Sequence, residues 1–284
     1  VRFVHVAEHD TGLLHTDNKA IAAFRSYADE IGKQLGVGAS SADLLPAEFP
    51  AKRILAEARH SRFIVIATHG RGGFRATVIG SVADKVIRGS EVPVLVVPGI
   101  GDATPLFRMR SIMVARDGSE AAEAALAIAR DIARRAEAGI VLVRAHRVSF
   151  PVGIEFSYYP SDLADTYHRE AEDYLKSVAR DGEQTMVLQG VPADVLVQAA
   201  IDRQTDMLVM GASGKGLADR LMLGSTTDRV LHTLHRPVLV VPAPKVWLLV
   251  QPAAIRPAGT SARPGERRAP LERRKLLTGG GGES

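Results

Sequence analysis

One stretch of the sequence combines residue types suited to holding phosphate. Gly211-Ala212-Ser213-Gly214-Lys215-Gly216 is followed, after a seven-residue spacer, by Gly224-Ser225-Thr226-Thr227. Glycines let backbone amides come close to a ligand. If Gly224 and Ser225 open a helix, the unpaired N–H groups and positive end of its first turn favour an anion. Ser225 and Thr226 add hydroxyl donors, and Lys215 adds charge. This is the chemistry of binding, so no residue is assigned a catalytic role. The competing interpretation is a solvated turn in which the glycines serve backbone geometry and Ser225 merely caps a helix.

Other candidate residues carry less. The chain has no cysteine, which removes thiolate metal sites, disulfides and cysteine nucleophiles. His232 and His235 have a His-x-x-His spacing, but no further ligand accompanies them, and a solvated helix face accounts for the pair. No metal site is assigned. His69 is a remote phosphate candidate, with ordinary hydrogen bonding the simpler role. The Gly-x-x-x-x-Gly-Lys-[Ser/Thr] loop is absent. Asp117-Gly118-Ser119 is not the Ser-Gly-Gly-x-Asp-Ser loop of ATP pyrophosphatases.

The elements that must position the loop are repeated. Pro93-Val94-Leu95-Val96-Val97-Pro98 recurs 144 residues later as Pro237-Val238-Leu239-Val240-Val241-Pro242. At the same offset, Gly70 falls on Gly214, and Gly80 and Ser81 fall on Gly224 and Ser225. Two copies of one unit are therefore present. In the second copy, short β-branched runs at 111–116, 139–146, 185–188, 206–210 and 238–241 read as buried strands. Helical patterns fall at 119–136, 161–180, from Pro192 onward, and 225–235. Strands alternating with helices predict an α/β fold, with open parallel sheets covered on both faces. The first copy shows a strand at 2–7, a helix at 18–35 and a strand at 63–67. The counterpart of 111–136 falls before residue 1, so this copy is expected to lack its first strand and helix. The chain starts at Val1 rather than Met, which leads us to expect a fragment or an unusual start assignment. The expected organisation is an incomplete unit at 1–98, a linker at 99–110, a complete unit at 111–242 and a tail at 243–284.

The glycine loop and the strand after it resemble the universal stress protein family. That family's nucleotide-binding signature is Gly, two residues, Gly, nine residues, Gly, then Ser or Thr; Gly211, Gly214, Gly224 and Ser225 satisfy it without a gap. The resemblance implies strand order 3-2-1-4-5 in each unit, with ATP across the carboxyl ends of strands 1 and 4 and Mg²⁺ as an optional companion. It also implies that Ala115 and Asp117 lie at the end of the first strand, with Asp117 near the adenosine, and that Ala145 borders the adenine. In the first copy Gly70, Gly80 and Ser81 fit the signature, but Ala67 replaces its first glycine. By the same resemblance the last strands support dimer contacts. An intramolecular pseudo-dimer of the two units, or a homodimer, is then expected.

The sequence pI is 9.5, which invites a nucleic-acid reading, but the charge is local. Residues 243–284 hold eight Lys/Arg against three acids, +5 in all, so residues 1–242 carry −1 of the net +4. The tail is rich in Pro and Gly and has no binding module, so a disordered extension is expected and no specific nucleic-acid partner. No apolar run approaches the ~18 residues that span a bilayer. A cytoplasmic location without membrane contact follows as the expectation. The function expected is a regulatory ATP-binding protein of the stress response, acting through nucleotide-dependent conformation or association. A nucleotide-independent dimerising scaffold and a slow ATPase are the alternatives.

Overall fold

A computed structural model describes residues 1–6, 18–36, 41–45, 49–68, 79–98, 108–147, 163–213 and 223–243. The expected tail, apart from Ala243, and most of the expected linker lie outside them. In chain order the elements are β1 (Arg2–Val6), α1 (Asn18–Gln34), β2 (Ser41–Leu45), α2 (Pro50–Ala58), β3 (Ile64–Ala67), α3 (Ser81–Gly89) and β4 (Val94–Val97). They continue with β5 (Ser111–Ala115), α4 (Glu120–Ala136), β6 (Gly139–His146), α5 (Leu163–Val178), β7 (Gln184–Gln189), α6 (Pro192–Asp202), β8 (Met207–Gly211), α7 (Ser225–Thr233) and β9 (Val238–Val241).

The second repeat forms around β5, whose Ile112, Met113 and Val114 are fully buried. β5 pairs in parallel with β6 on one side and β8 on the other, and β7 and β9 extend the sheet outward. The resulting order, β7-β6-β5-β8-β9, is the predicted 3-2-1-4-5. Alternation along each strand sends side chains to two cores. Met113, Val143, Leu208 and Met210 share one with α6 and α7, while Ile112, Val114, Leu142 and Val209 share the other with α4 and α5. α4 begins at Ser119, whose hydroxyl accepts the Ala122 N–H at 3.2 Å. Its first turn carries Glu120 and Glu123 and its last Arg134 and Arg135, the charge order that suits the helix dipole. Its buried face is largely alanine, which lets the helix lie close to the sheet. Among the described residues no helix is long and apolar enough to cross a membrane.

The first repeat is divided between two sheets. β1 and β2 form a parallel pair of their own, while β3 and β4 pair in parallel at the end of the seven-stranded sheet. β4 also pairs with β9, antiparallel, with Leu95 opposite Leu239. The last strands of the two repeats thus face each other inside one sheet, each with a partner strand on both sides. Beside this seam, Arg88 of α3 pairs with Asp84 of its own helix and with Asp228 of α7. All three side chains are more than a third exposed. Arg88→Ala is therefore expected to cost no more than ~1 kcal/mol in urea denaturation. A loss several times larger would show that the seam relies on this ion pair rather than on its valines.

Candidate functional site

A cleft of about 520 Å³ opens where the sheet order reverses, at the carboxyl ends of β5 and β8. Open α/β sheets place their ligands at such a switch point. The volume lies within the ~300–1,000 Å³ typical of small-molecule sites. Ala115, Val143, Ala145, Leu196, Met210 and Leu223 make its apolar wall. Asp117, Ser213, Ser225 and Thr226 make its polar end. Of the residues singled out in the sequence, Ala115, Asp117, Ala145, Gly211, Gly224, Ser225 and Thr226 therefore line one cavity, although they come from four separate stretches of chain. Gly214 and Lys215 lie outside the described residues, as do Gly70 and His69 of the first repeat.

The local geometry follows from hydrogen bonds that fix both ends of the glycine loop. Ala212 N–H donates to Val241 O at 2.7 Å, and Gly224 N–H donates to Ala212 O at 2.7 Å, so loop exit and helix start are tied to the sheet. The Thr227 hydroxyl donates to Gly211 O at 2.8 Å. Gly224 is the N-cap of α7 in extended conformation, with no side chain capping it. The first-turn amides of α7, at Ser225 and Thr226, are thus the donors offered to a ligand. On the opposite wall the Ser119 N–H donates to Asp117 Oδ1 at 2.9 Å, which fixes the acid at the α4 entrance.

Gly211 has a role that the ligand-approach argument did not give it. A Cβ built there would lie 2.8 Å from Ala121 Cβ and 3.1 Å from both Ala121 C and Ala122 N. The glycine makes room for the first turn of α4, which carries the wall opposite α7. The first repeat copies the loop's hydrogen bonds at the 144-residue offset. Thr68 N–H donates to Val97 O at 3.0 Å and Gly80 N–H to Thr68 O at 2.8 Å, placing Ser81 at the start of α3. There is no α4 counterpart among the described residues of that repeat, and Ala67 stands where Gly211 would be.

Two residues of this region have surroundings that the sequence did not foretell. The Arg116 side chain is fully buried beside the cleft; its guanidinium donates to the Ala122 carbonyl, to the Glu123 carboxylate and, at 3.0 Å, to the Tyr174 hydroxyl. It ties the end of β5 to α4 and α5 and so holds the turn bearing Asp117. The available signal was a charge at the next position of the Ile112, Val114 alternation. Burial pushes the Tyr174 phenol up, so it stays protonated and donates to Glu123. The second residue is His146, at the end of β6, whose ring nitrogens are buried and have no hydrogen-bond partner among the described residues. Burial, with His168 and Arg144 nearby, lowers its pKa below the usual 6.5. The unfolded chain then binds the proton more readily, so stability is full above about pH 6.5 and falls as the pH drops toward the lowered value. Urea melts between pH 8 and pH 5 should show this loss, and His146→Phe should remove part of it. An unchanged profile in the variant would assign the loss to other groups.

Among the described residues no group of three or more His, Asp or Glu is placed to hold a metal ion. His232, half of the His-x-x-His pair, instead sets its Nδ1 2.8 Å from the Asp228 carbonyl.

Comparison with known proteins gives this architecture relatives. The model of the universal stress protein family matches residues 48–98 and 109–242. A universal stress protein of Methanocaldococcus jannaschii is 32% identical over 142 residues, 48% of this chain and 84% of that protein. One from Mycobacterium tuberculosis is 26% identical over 197 residues, 67% of this chain and 65% of its own length. The chain thus spans just under two thirds of that mycobacterial relative. Among solved structures, a universal stress protein from Archaeoglobus fulgidus superposes with a TM-score of 0.60 at 20% identity, covering 86% of each chain. A functionally unknown protein from Pseudomonas aeruginosa gives 0.64 at 18% identity, over 86% of this chain and 82% of that one. At these identities the structural likeness concerns the fold.

Proposed function

Because the chain belongs to the universal stress protein family, which supports a stress-response role, we propose that its second repeat is a regulatory adenine-nucleotide site. The observation that carries this reading is the cleft at the β5/β8 switch point, apolar at one end and lined at the other by the first turn of α7. In this reading Ala115, Val143 and Ala145 border the adenine, Asp117 accepts a ribose hydroxyl, and the amides and hydroxyls of Ser225 and Thr226 hold the phosphates. Gly214 and Lys215 would complete the phosphate side, and any Mg²⁺ would arrive with the phosphates. Asp117 is the acid among the cleft's described lining residues. Phosphoryl transfer usually needs a metal-holding acid and a positioned water or nucleophile. Binding rather than turnover is therefore the role proposed, with nucleotide acting on conformation or association in the cytoplasm.

The test is calorimetric titration of the purified chain with ATP, ADP and AMP, together with mass spectrometry of any ligand released on denaturation. Saturable binding of one nucleotide per chain is expected. Absence of both binding and co-purified nucleotide would end the proposal. The continuous sheet favours a second reading, in which the repeats act as an intramolecular pseudo-dimer joined at β4 and β9. That role would persist without nucleotide.

A further inference from the structure

Both repeats pack a pair of helices into the same core, α2 with α3 and α6 with α7, but they charge the facing sides differently. α2 and α6 each open with Pro-Ala, and their ninth residues, Ala58 and Ala200, are both buried. Their third residues, Lys52 and Asp194, therefore correspond. α3 and α7 begin at Ser81 and Ser225, so their fifth residues, Lys85 and Arg229, correspond as well. In the second repeat Arg229 Nη2 lies 2.8 Å from Asp194 Oδ1, an ion pair that spans the two helices. In the first repeat the same two positions hold two lysines.

A cavity of ≈ 450 Å³ lies between α2 and α3, and both lysines line it. That volume is within the range of small-molecule sites. Leu55, Ala58 and Val92 supply its apolar surface. Gly89 sets how closely Leu55 lies against α3, since a Cβ there would be 2.7 Å from Leu55 Cδ1. Arg59 and Glu91 also line the cavity and balance each other, so the excess positive charge belongs to the two lysines. Lys52, Arg59 and Lys85 form no ion pair among the described residues. Acids on the same helices are committed elsewhere, Glu57 to Arg2 at 2.6 Å and Asp84 to Arg88 at 2.8 Å. The cavity shares no lining residue with the cleft at β5 and β8.

We propose that this cavity binds a small amphipathic anion: one carboxylate or phosphate head group on a short hydrocarbon body. The head would sit between Lys52 and Lys85, where Asp194 and Arg229 meet in the second repeat. Because that pair closes to 2.8 Å, side chains from these two positions can converge on one small group. The lysine ammonium is a compact charge that suits either head group. Lysine stems also lie readily along apolar surface, extending the walls around the body. The body would then cover Leu55, Ala58 and Val92. An anion so placed relieves the repulsion of two like charges that the second repeat avoids by pairing opposite ones.

The probes are octyl phosphate and octanoate, below their micellar concentrations, titrated into the full chain at low salt. Inorganic phosphate and octanol are the controls. Calorimetry gives affinity, and NMR of the Leu55 and Val92 methyl groups gives location. Saturable one-to-one binding of both octyl anions is expected, with those methyl signals moving, and added salt should weaken it by screening. Lys52→Asp gives Lys85 the acidic partner that Arg229 has. It should weaken binding by about tenfold or more, with the urea midpoint unchanged or higher, so that unfolding does not explain the loss. Lys85→Arg keeps the cation and should retain binding. Absence of saturable binding would overturn the proposal, as would affinity indifferent to Lys52→Asp. Equal affinity for octanol or for inorganic phosphate would overturn it too, since head and body must both contribute. So would binding that leaves the Leu55 and Val92 methyl signals unmoved, which would place the anions elsewhere. Binding of a glutamate-rich peptide, but of neither octyl anion, would assign the lysines to an acidic polypeptide instead.

Discussion

Ser225→Asp is expected to abolish nucleotide binding while leaving the fold as stable as before, or slightly more so. Ser225 is the first residue of α7 and lies at the polar end of the cleft. A carboxylate there would meet the phosphates directly, and like charges brought together cost several kcal/mol, so a loss of about 100-fold or more in affinity should follow. The same carboxylate at a helix N-terminus stabilises the helix by ~0.3–1 kcal/mol. Calorimetry and urea denaturation of one variant therefore read the two effects separately. Ser81→Asp is the control at the equivalent position of α3. It should leave ATP affinity unchanged if the second repeat holds the site. Retained affinity in Ser225→Asp would remove the phosphates from α7 and with them the proposed orientation of the nucleotide.

Gly211→Val is expected to damage the fold itself. Even one added carbon would lie 2.8 Å from Ala121 Cβ and 3.1 Å from backbone atoms of Ala121 and Ala122. Two of these neighbours are main chain, so relief requires displacement of the α4 first turn rather than a side-chain rotation. Overpacking of a close-fitted core typically costs ~1–3 kcal/mol, and the bulk of valine places this change at the upper end. The urea midpoint should fall accordingly, with Gly211→Ala intermediate. Nucleotide affinity should fall too, because the displaced turn follows directly on Ser119, its cap, whose N–H holds Asp117. Unchanged stability would mean that α4 has room to retreat and that the glycine serves the ligand alone.

The second repeat was legible in the sequence because local and tertiary demands coincide there. Strand β6 occupies 139–146 as read, and α4 (Glu120–Ala136) fills the helical pattern read at 119–136, since alanine content and end charges agree with the packing. The first repeat was less legible. β2 is a short Ser-Ala-Asp-Leu-Leu segment with no β-branched residue, and α2 is nine residues opened by Pro50 after Phe49 in a left-handed conformation. Neither announces itself by composition; pairing with β1 and packing against α3 define them. Arg116 escaped notice for a related reason. A charged residue at a strand end reads as solvated until the partners that bury it, Glu123 and Tyr174, are seen together.

The pairing of β4 with β9 also bears on how the chain reaches its final form. The paired residues lie about 144 positions apart, so the contact is among the most non-local in the molecule. At ribosomal rates of ~5–20 residues per second, β4 would wait roughly 7–30 s for its neighbour to be synthesised. Throughout that interval β4, paired with β3 on one side, presents its other edge unpaired. The nascent first repeat is then the stage at which aggregation competes with assembly, and the emergence of β9 closes that window.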